Sequence, residues 1–374
     1  MPRYVIDEAA LRRNLEILKS VSDRTGAKIL LAQKAFSCAA VYPLCARHLA
    51  GTTASSLFEA KHGREFFGGE THVFAPAFAP GEMDELLGVV DHIVFNSPRQ
   101  LALYGAAARA RGVSPGLRVN PEVSVAATPA YDPCRPGSRL GATRAAVDAW
   151  SARHPAMDID GLHFHCLCEQ GLDELRRVLA GFEAKFGDML PGLRWVNFGG
   201  GHHITRAGYD LEGLAGLILG FRRRHPGMEV YLEPGEAVAL DAGTLESRVL
   251  EIQPPGEDGV SNAILDASAA CHMPDVLEMP YTPRVTGASP GAAGPFAYRF
   301  GGPTCLAGDE IGTYSFPAPL KEGDTVAFED MAIYSMVKNN TFNGVNLPDI
   351  AIRREDGTVD TWRTFGYADF AARV

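Results

Sequence analysis

Eight short apolar segments recur between residues 28 and 233, and helix-like stretches separate most of them. The segments are 28–33 (KILLAQ), 51–55 (GTTAS), 71–75 (THVFA), 92–96 (HIVFN), 117–120 (LRVN), 161–165 (GLHFH), 194–198 (RWVNF) and 229–233 (EVYLE). Runs as short as Ile29-Leu30-Leu31 read as buried strands, too short for helices. Between them the period changes. After the fourth segment, Ser97 caps a helix with Pro98 at its first position, running through Leu101 and Tyr104 to Gly112. Segment 172–187 repeats the helical spacing with Leu175, Val178, Leu179 and Phe182, and 210–224 with Leu211, Leu214, Leu217 and Ile218. Strand–helix alternation sustained over about 230 residues implies a (β/α)₈ barrel, with a doubly wound open sheet as the alternative.

The flanks have a different texture. Tyr4-Val5-Ile6 reads as a strand, and Asp7 as the N-cap of a helix from Glu8 to about Val21, with Leu11, Leu15 and Leu18 on one face. Beyond residue 240 helical periodicity is scarce. Strand-like runs at 249–252, 263–266, 296–300 and 324–328 alternate with turns such as Pro254-Pro255-Gly256 and Lys321-Glu322-Gly323-Asp324. The expected organisation is a barrel over 8–238 and a β-rich domain over 239–374, joined by the N-terminal strand at 1–7.

Composition narrows the partners. Of the 374 residues 46% are hydrophobic, enough for a sizeable core. A net charge of −10 argues against nucleic acid and anionic membranes as partners. No stretch is long enough to span a bilayer, and the N-terminus resembles neither a signal nor a transit peptide. Seven cysteines form no zinc-like pair of Cys-x-x-Cys motifs, so reduced thiols in the cytoplasm are expected.

A barrel builds its active site at the C-terminal ends of its strands. The unusual polar residues fall there: Lys34 after the first strand, Ser55 and Ser56 after the second, Asn120-Pro121 after the fifth, His163 and His165 on the sixth. Gly199-Gly200-Gly201 follows the seventh and Glu233-Pro234-Gly235-Glu236 the eighth. A lysine at the end of an apolar strand is either a snorkelling surface residue or a nucleophile with a depressed pKa, able to form a Schiff base. Three glycines let a backbone approach an anion closely, and barrels hold phosphates in the loops after strands 7 and 8. His163 and His165 face the same way and have metal-ligand spacing; the rival reading is one structural histidine and one lying flat on a planar ligand. Glu233 can stabilise a protonated pyridine nitrogen or simply accept backbone N–H bonds. Lysine, phosphate cradle, flat imidazole and carboxylate together describe a site for pyridoxal phosphate.

The motifs Ala32-Gln33-Lys34-Ala35-Phe36, Ser55-Ser56-Leu57-Phe58-Glu59, His163-Phe164-His165-Cys166-Leu167-Cys168-Glu169, Asn197-Phe198-Gly199-Gly200-Gly201-His202-His203, Glu233-Pro234-Gly235-Glu236, the 272–281 run and Gly302-Pro303-Thr304-Cys305-Leu306-Ala307-Gly308-Asp309 carry a resemblance over nearly the whole chain. The chain resembles the pyridoxal-phosphate-dependent decarboxylases of alanine-racemase fold (fold type III), which include ornithine, diaminopimelate and arginine decarboxylases. Within them it is most similar to the branch acting on carboxynorspermidine and carboxyspermidine. The resemblance implies that Lys34 binds pyridoxal 5'-phosphate covalently and that His165 stacks on its ring. It implies that Gly200, Gly201, Gly235 and Tyr334 hold the phosphate, that Glu233 faces the ring nitrogen, and that Cys305 supplies a proton after carbon dioxide leaves. That cysteine reaches the partner's site in this family, so a homodimer with shared sites is implied. Where the amino-acid decarboxylases have an arginine, this chain has Glu236. With Asp275 and Asp309 it makes up an acidic set suited to a small polycationic substrate. The readings set against this are a diaminopimelate or other basic amino-acid decarboxylase of the same fold, a non-catalytic cofactor-binding regulator, and a metal hydrolase.

Overall fold

The computed structural model describes residues 1–126, 128–154 and 157–374. The chain divides into two compact units. One comprises 13–34 and 41–238, the other 1–12, 35–40 and 239–374.

The first unit is a closed parallel barrel. Strand β1 (Arg3–Asp7) belongs to the other unit. The barrel strands are β2 (Lys28–Ala32), β3 (Gly51–Ala54), β4 (Glu70–Phe74), β5 (His92–Phe95), β6 (Ser114–Arg118), β7 (Gly161–His163), β8 (Trp195–Asn197) and β9 (Glu229–Leu232). The ring closes because β2 pairs with both β3 and β9, with Leu30 opposite Gly51 and Ile29 opposite Leu232. Parallel strands need crossovers, and the helices provide them. Ser97 accepts the Gln100 N–H to start helix Pro98–Ala110, and Asp210 accepts the Gly213 N–H to start helix Leu211–Arg224. Helix Leu172–Phe186 buries Leu175, Val178, Leu179 and Phe182, the residues its 3.6-residue period selects.

Inside the ring, Trp195 packs with Leu30, Val94 and Tyr231. The indole fits because two neighbouring strands carry glycine. A Cβ at Gly161 would lie 2.1 Å from the ring, and one at Gly116 2.3 Å. Glycine at position 116 bears on one displacement from the sequence reading. The fifth strand runs Ser114–Arg118 rather than 117–120, because its first half, Ser-Pro-Gly, carries turn signals while making way for the tryptophan.

The second unit is a nine-stranded sheet. Besides β1 it contains β10 (Gly243–Ile252), β11 (Ser261–Leu265), β12 (Ser289–Pro290), β13 (Phe296–Gly301), β14 (Glu310–Phe316), β15 (Thr325–Glu329), β16 (Asp349–Arg353) and β17 (Val359–Arg363). Its order is β12-β14-β13-β11-β10-β1-β16-β17, with β15 also on β10. The N-terminal strand is therefore interior, antiparallel to β10 and parallel to β16. Tyr4 and Ile6, both fully buried, pay the entropic cost of ordering the terminus through apolar burial.

Candidate active site

The C-terminal mouth of the barrel gathers the residues that follow its strands. Gln33 first fixes the end of β2. Its N–H donates to the Thr53 carbonyl at 3.1 Å, its side-chain amide to the Glu59 carbonyl at 2.8 Å, and its Oε1 accepts from Tyr42 at 3.1 Å. The Ala32 N–H reaches the Pro234 carbonyl at 3.0 Å. Lys34 is thus the second residue beyond a strand end tied on both sides. Its side chain is accessible to solvent yet ringed by protein. That crowding, and then the charge of Arg118, lower its pKa below the ordinary lysine value, with Glu233 opposing. Solvent access tempers the first effect. Among the described residues no carboxylate lies within ion-pair distance of its ammonium.

Glu233 is the buried acid of the site. His163 Nε2 lies 2.6 Å and His165 Nδ1 3.8 Å from its Oε1, and the Asn197 amide donates to its Oε2 at 3.2 Å. Burial pushes its carboxyl up, but the two imidazoles outweigh burial and hold it well below the usual range. Burial in turn depresses His163, and depresses His165 to about 3 with help from Lys34. The site at neutral pH is therefore an anionic Glu233 beside two neutral histidines. The Gly200 N–H lies 3.1 Å from His165 Nδ1, which fixes the plane of the ring.

The triple glycine is required by the neighbouring loops. Gly199 and Gly201 have φ of +73° and +85°. A Cβ on Gly200 would lie 2.2 Å from the Glu233 carbonyl oxygen, and one on Gly201 2.0 Å from that of Leu167. Only glycine lets the ends of β7, β8 and β9 converge this closely.

Glu236 is half-buried and starts the short helix Glu236–Ala239. Its Oε1 lies 3.3 Å from Nε2 of His203, a buried residue. Cys305, Tyr334, Asp275 and Asp309 belong to the sheet unit. Cys305 is exposed, and its N–H donates to Asn343 Oδ1 at 2.8 Å. The Tyr334 N–H donates to the carbonyl of Ala35, next after Lys34, from a left-handed backbone (φ +50°). Asp275 pairs with Lys338, and Asp309 is 4% exposed, bonded to Ser268 and Thr304.

Arg118 escaped the sequence reading. It is 5% exposed, donates to the His165 carbonyl at 2.9 Å and lies 4.4 Å over the Phe74 ring. A charged residue inside the apolar strand Leu117-Arg118-Val119 was the available signal. His203 and Asn197 were visible only as parts of motifs.

These residues fit pyridoxal phosphate: an accessible lysine without a carboxylate counter-ion, a buried anionic carboxylate, an oriented imidazole, and a glycine turn where a Cβ has no room. His163, His165 and Glu233 would also satisfy three positions of a metal. Comparison with known proteins decides between them. Residues 3–332 match the family model for pyridoxal-dependent decarboxylase, C-terminal sheet domain. Carboxyaminopropylagmatine decarboxylase of Synechocystis sp. is 41% identical over 373 residues, covering 100% of this chain and 95% of that protein. Carboxynorspermidine/carboxyspermidine decarboxylase of Campylobacter jejuni is 41% identical over 384 residues, covering 100% and 98%. The crystal structure of carboxynorspermidine decarboxylase complexed with norspermidine, from Campylobacter jejuni, superposes with a TM-score of 0.90 at 39% identity, over 100% of both chains. Diaminopimelate decarboxylase from Helicobacter pylori gives 0.82 at 17% identity, over 100% of this chain and 96% of that one, a likeness of fold alone. With its barrel, its sheet unit and its lysine site accounted for, the chain belongs to the pyridoxal-dependent decarboxylases, and its cofactor is pyridoxal 5'-phosphate.

Proposed function

We propose that the protein decarboxylates carboxynorspermidine, carboxyspermidine or both, releasing norspermidine or spermidine, in sites shared across a cytoplasmic homodimer. The observation that carries the substrate class is identity of about 40% over the full chain with enzymes so named. Glu236 supports it, since a half-buried carboxylate at the barrel mouth suits an ammonium group. Among the described residues no helix is long and apolar enough to cross a membrane.

When bound, the cofactor supplies the electron sink for the pair released as the carboxylate departs. Lys34, with its lowered pKa, keeps a larger fraction of free amine and would be the residue that holds the cofactor's aldehyde. Glu233, held well below the usual carboxylate range, would face the ring nitrogen and favour its protonated form. His165, locked by the Gly200 N–H and by Arg118 on its carbonyl, offers a fixed flat face. Gly200, Gly201, Gly235 and Tyr334 would hold the phosphate. Cys305 transfers its thiol proton to Cα and regains one from solvent. Glu236 and Asp275 bind the substrate's amines, Asp275 exchanging Lys338 for a substrate ammonium.

The test is the visible spectrum of the purified protein with carbon dioxide release on each of three substrates: carboxynorspermidine, carboxyspermidine and carboxyaminopropylagmatine. The third is included because a relative named for it is equally similar. An absorbing band that borohydride fixes onto Lys34, with fastest turnover on one of the first two, is expected. Fastest turnover on the third would move the assignment to that branch. A colourless protein, inactive after cofactor is supplied, would refute the reaction class.

A further inference from the structure

Asp309 belongs to the acidic set suited to a polycationic substrate, and its surroundings point to a further task. Its carboxylate is buried. Ser268 Oγ lies 2.9 Å from both oxygens, the Ala270 N–H donates to Oδ1 at 3.1 Å, and Thr304 Oγ1 donates to Oδ2 at 2.7 Å. Among the described residues no cation lies within ion-pair distance of it. A buried carboxyl group satisfied by hydroxyl and amide donors is fixed in place, because losing any donor leaves a buried polar atom unpaired.

What it fixes is the turn that carries Cys305. The Gly302 N–H donates to the Asp309 carbonyl at 2.9 Å, and the Asp309 N–H to that of Leu306 at 3.0 Å. Thr304, held by the carboxylate, accepts the Leu306 N–H at 3.3 Å. From outside the turn, Asn343 accepts the Cys305 N–H from a left-handed backbone (φ +55°). Gly302 is glycine because a Cβ there would lie 2.2 Å from Asp309 Oδ2. The backbone of Asp309 thus closes the loop, and its carboxylate ties Thr304, the neighbour of the exposed thiol, to Ser268 and Ala270 outside it.

We infer that Asp309 is a positioning residue: its buried carboxylate clamps the Gly302–Asp309 turn and thereby sets where the Cys305 thiol is presented. The catalytic consequence rests on the reading of Cys305 as proton donor; the clamp itself does not.

The test uses the holoenzyme of Asp309→Ala and, as a milder variant that removes one bond of the clamp, Thr304→Val. Three readouts are taken: amide exchange across 303–308, the rate at which iodoacetamide alkylates Cys305, and steady-state kinetics. Alkylation is read at the Cys305 peptide by mass spectrometry, apart from the half-buried Cys168; the other five cysteines are buried. Exchange in the turn should rise about tenfold or more while the barrel is unchanged. The alkylation rate should shift, and kcat should fall about 10- to 100-fold at constant KM and cofactor content, since misplacing a reacting group by an ångström costs about that much. Thr304→Val should show the same pattern at smaller amplitude, which keeps the question open to test if Asp309→Ala does not fold. Wild-type exchange and alkylation in the turn of a folded variant would overturn the assignment. So would a raised KM with unchanged kcat, which would return Asp309 to substrate binding. Cys305→Ala separates the two claims: full turnover there would overturn the thiol's role and the catalytic half of the assignment, while the exchange data would still judge the clamp.

Discussion

The two ends of the barrel hold the same side chains and do different things with them. At the C-terminal mouth stand Lys34, Glu233, His163 and His165. At the N-terminal end stand Lys28, Glu70, His72 and His92, joined by Tyr231 and Glu229. Lys28 Nζ sits 2.7 Å from Glu70, 3.1 Å from Glu229 and 3.2 Å from the Tyr231 hydroxyl. Although burial works against its charge, these partners raise its pKa. The His72 and His92 rings stack with centroids 3.9 Å apart, and His72 Nε2 lies 3.0 Å from Glu70. Each charge there has its opposite. At the mouth the lysine lacks an adjacent carboxylate, and the acid is given to histidines and an amide. Pairing at one end makes a plug; withholding a carboxylate from the lysine at the other makes a nucleophile.

The largest effect that would break this comparison concerns the two lysines. Lys34→Ala should lower decarboxylation at least about 10³-fold, as loss of a covalent participant does, and abolish borohydride fixation of the cofactor. Lys28→Met should leave kcat within about threefold and lower stability by about 1 kcal/mol in urea unfolding, a modest figure because the pair is partly solvent-screened. Equal losses of activity would mean that the two ends are not functionally distinct.

Next come the acids. Glu233→Gln keeps the shape but removes the charge, so kcat should fall about 10²- to 10³-fold and the absorbance of the bound cofactor should shift. Glu70→Gln should leave that spectrum untouched and register as a lower melting temperature, from about 1–2 kcal/mol of weakened hydrogen bonding to Lys28 and His72. A Glu70→Gln protein with a shifted spectrum would refute the separation.

The eight-fold alternation was legible because each strand is a short apolar run and each helix shows its period. The mouth residues were legible because barrel topology places strand ends together whatever their spacing in sequence. What could not be read were relations set by tertiary packing. Nothing near Gly116 or Gly161 in sequence announces Trp195. Asp309 reads as one more acid until Ser268 and Thr304 are seen to enclose it. The plug was hidden for the same reason: Lys28, Glu70, His92 and Glu229 are first residues of four separate strands, and only ring closure brings them into contact.

A smaller effect sharpens the account of Lys34. Arg118 is the cation that helps depress its pKa. Arg118→Met should therefore raise it, moving the pH profile of competitive acylation of Lys34 in apoenzyme to higher pH, with Lys28 unaffected. A profile shifted downward, or one that does not move, would mean that crowding alone sets the lysine's reactivity.

The smallest effect is on stability against pH, where the histidines of the plug report. Burial and the neighbouring His72 depress His92 to about 2. Its native pKa is thus below its unfolded value of about 6.5, so between those values the unfolded chain binds the extra proton. Stability is then retained above about pH 6.5 and falls steadily as the pH is lowered. Glu70 has the same sign. Burial pushes its carboxyl up, but His72 and Lys28 outweigh that and hold it down at about 2, so its contribution is present above its unfolded value and fades as pH falls toward 2. The melting temperature of the wild type should therefore drop from pH 7 to pH 5, through His92 and the other buried histidines, and more steeply below the carboxylate range. His92→Asn removes one of those protons and should flatten the slope between pH 7 and 5 without altering the spectrum of the bound cofactor. If the slope stays as steep in the variant, His92 is not the group that resists protonation, and the loss belongs to His165 and the other histidines of the mouth.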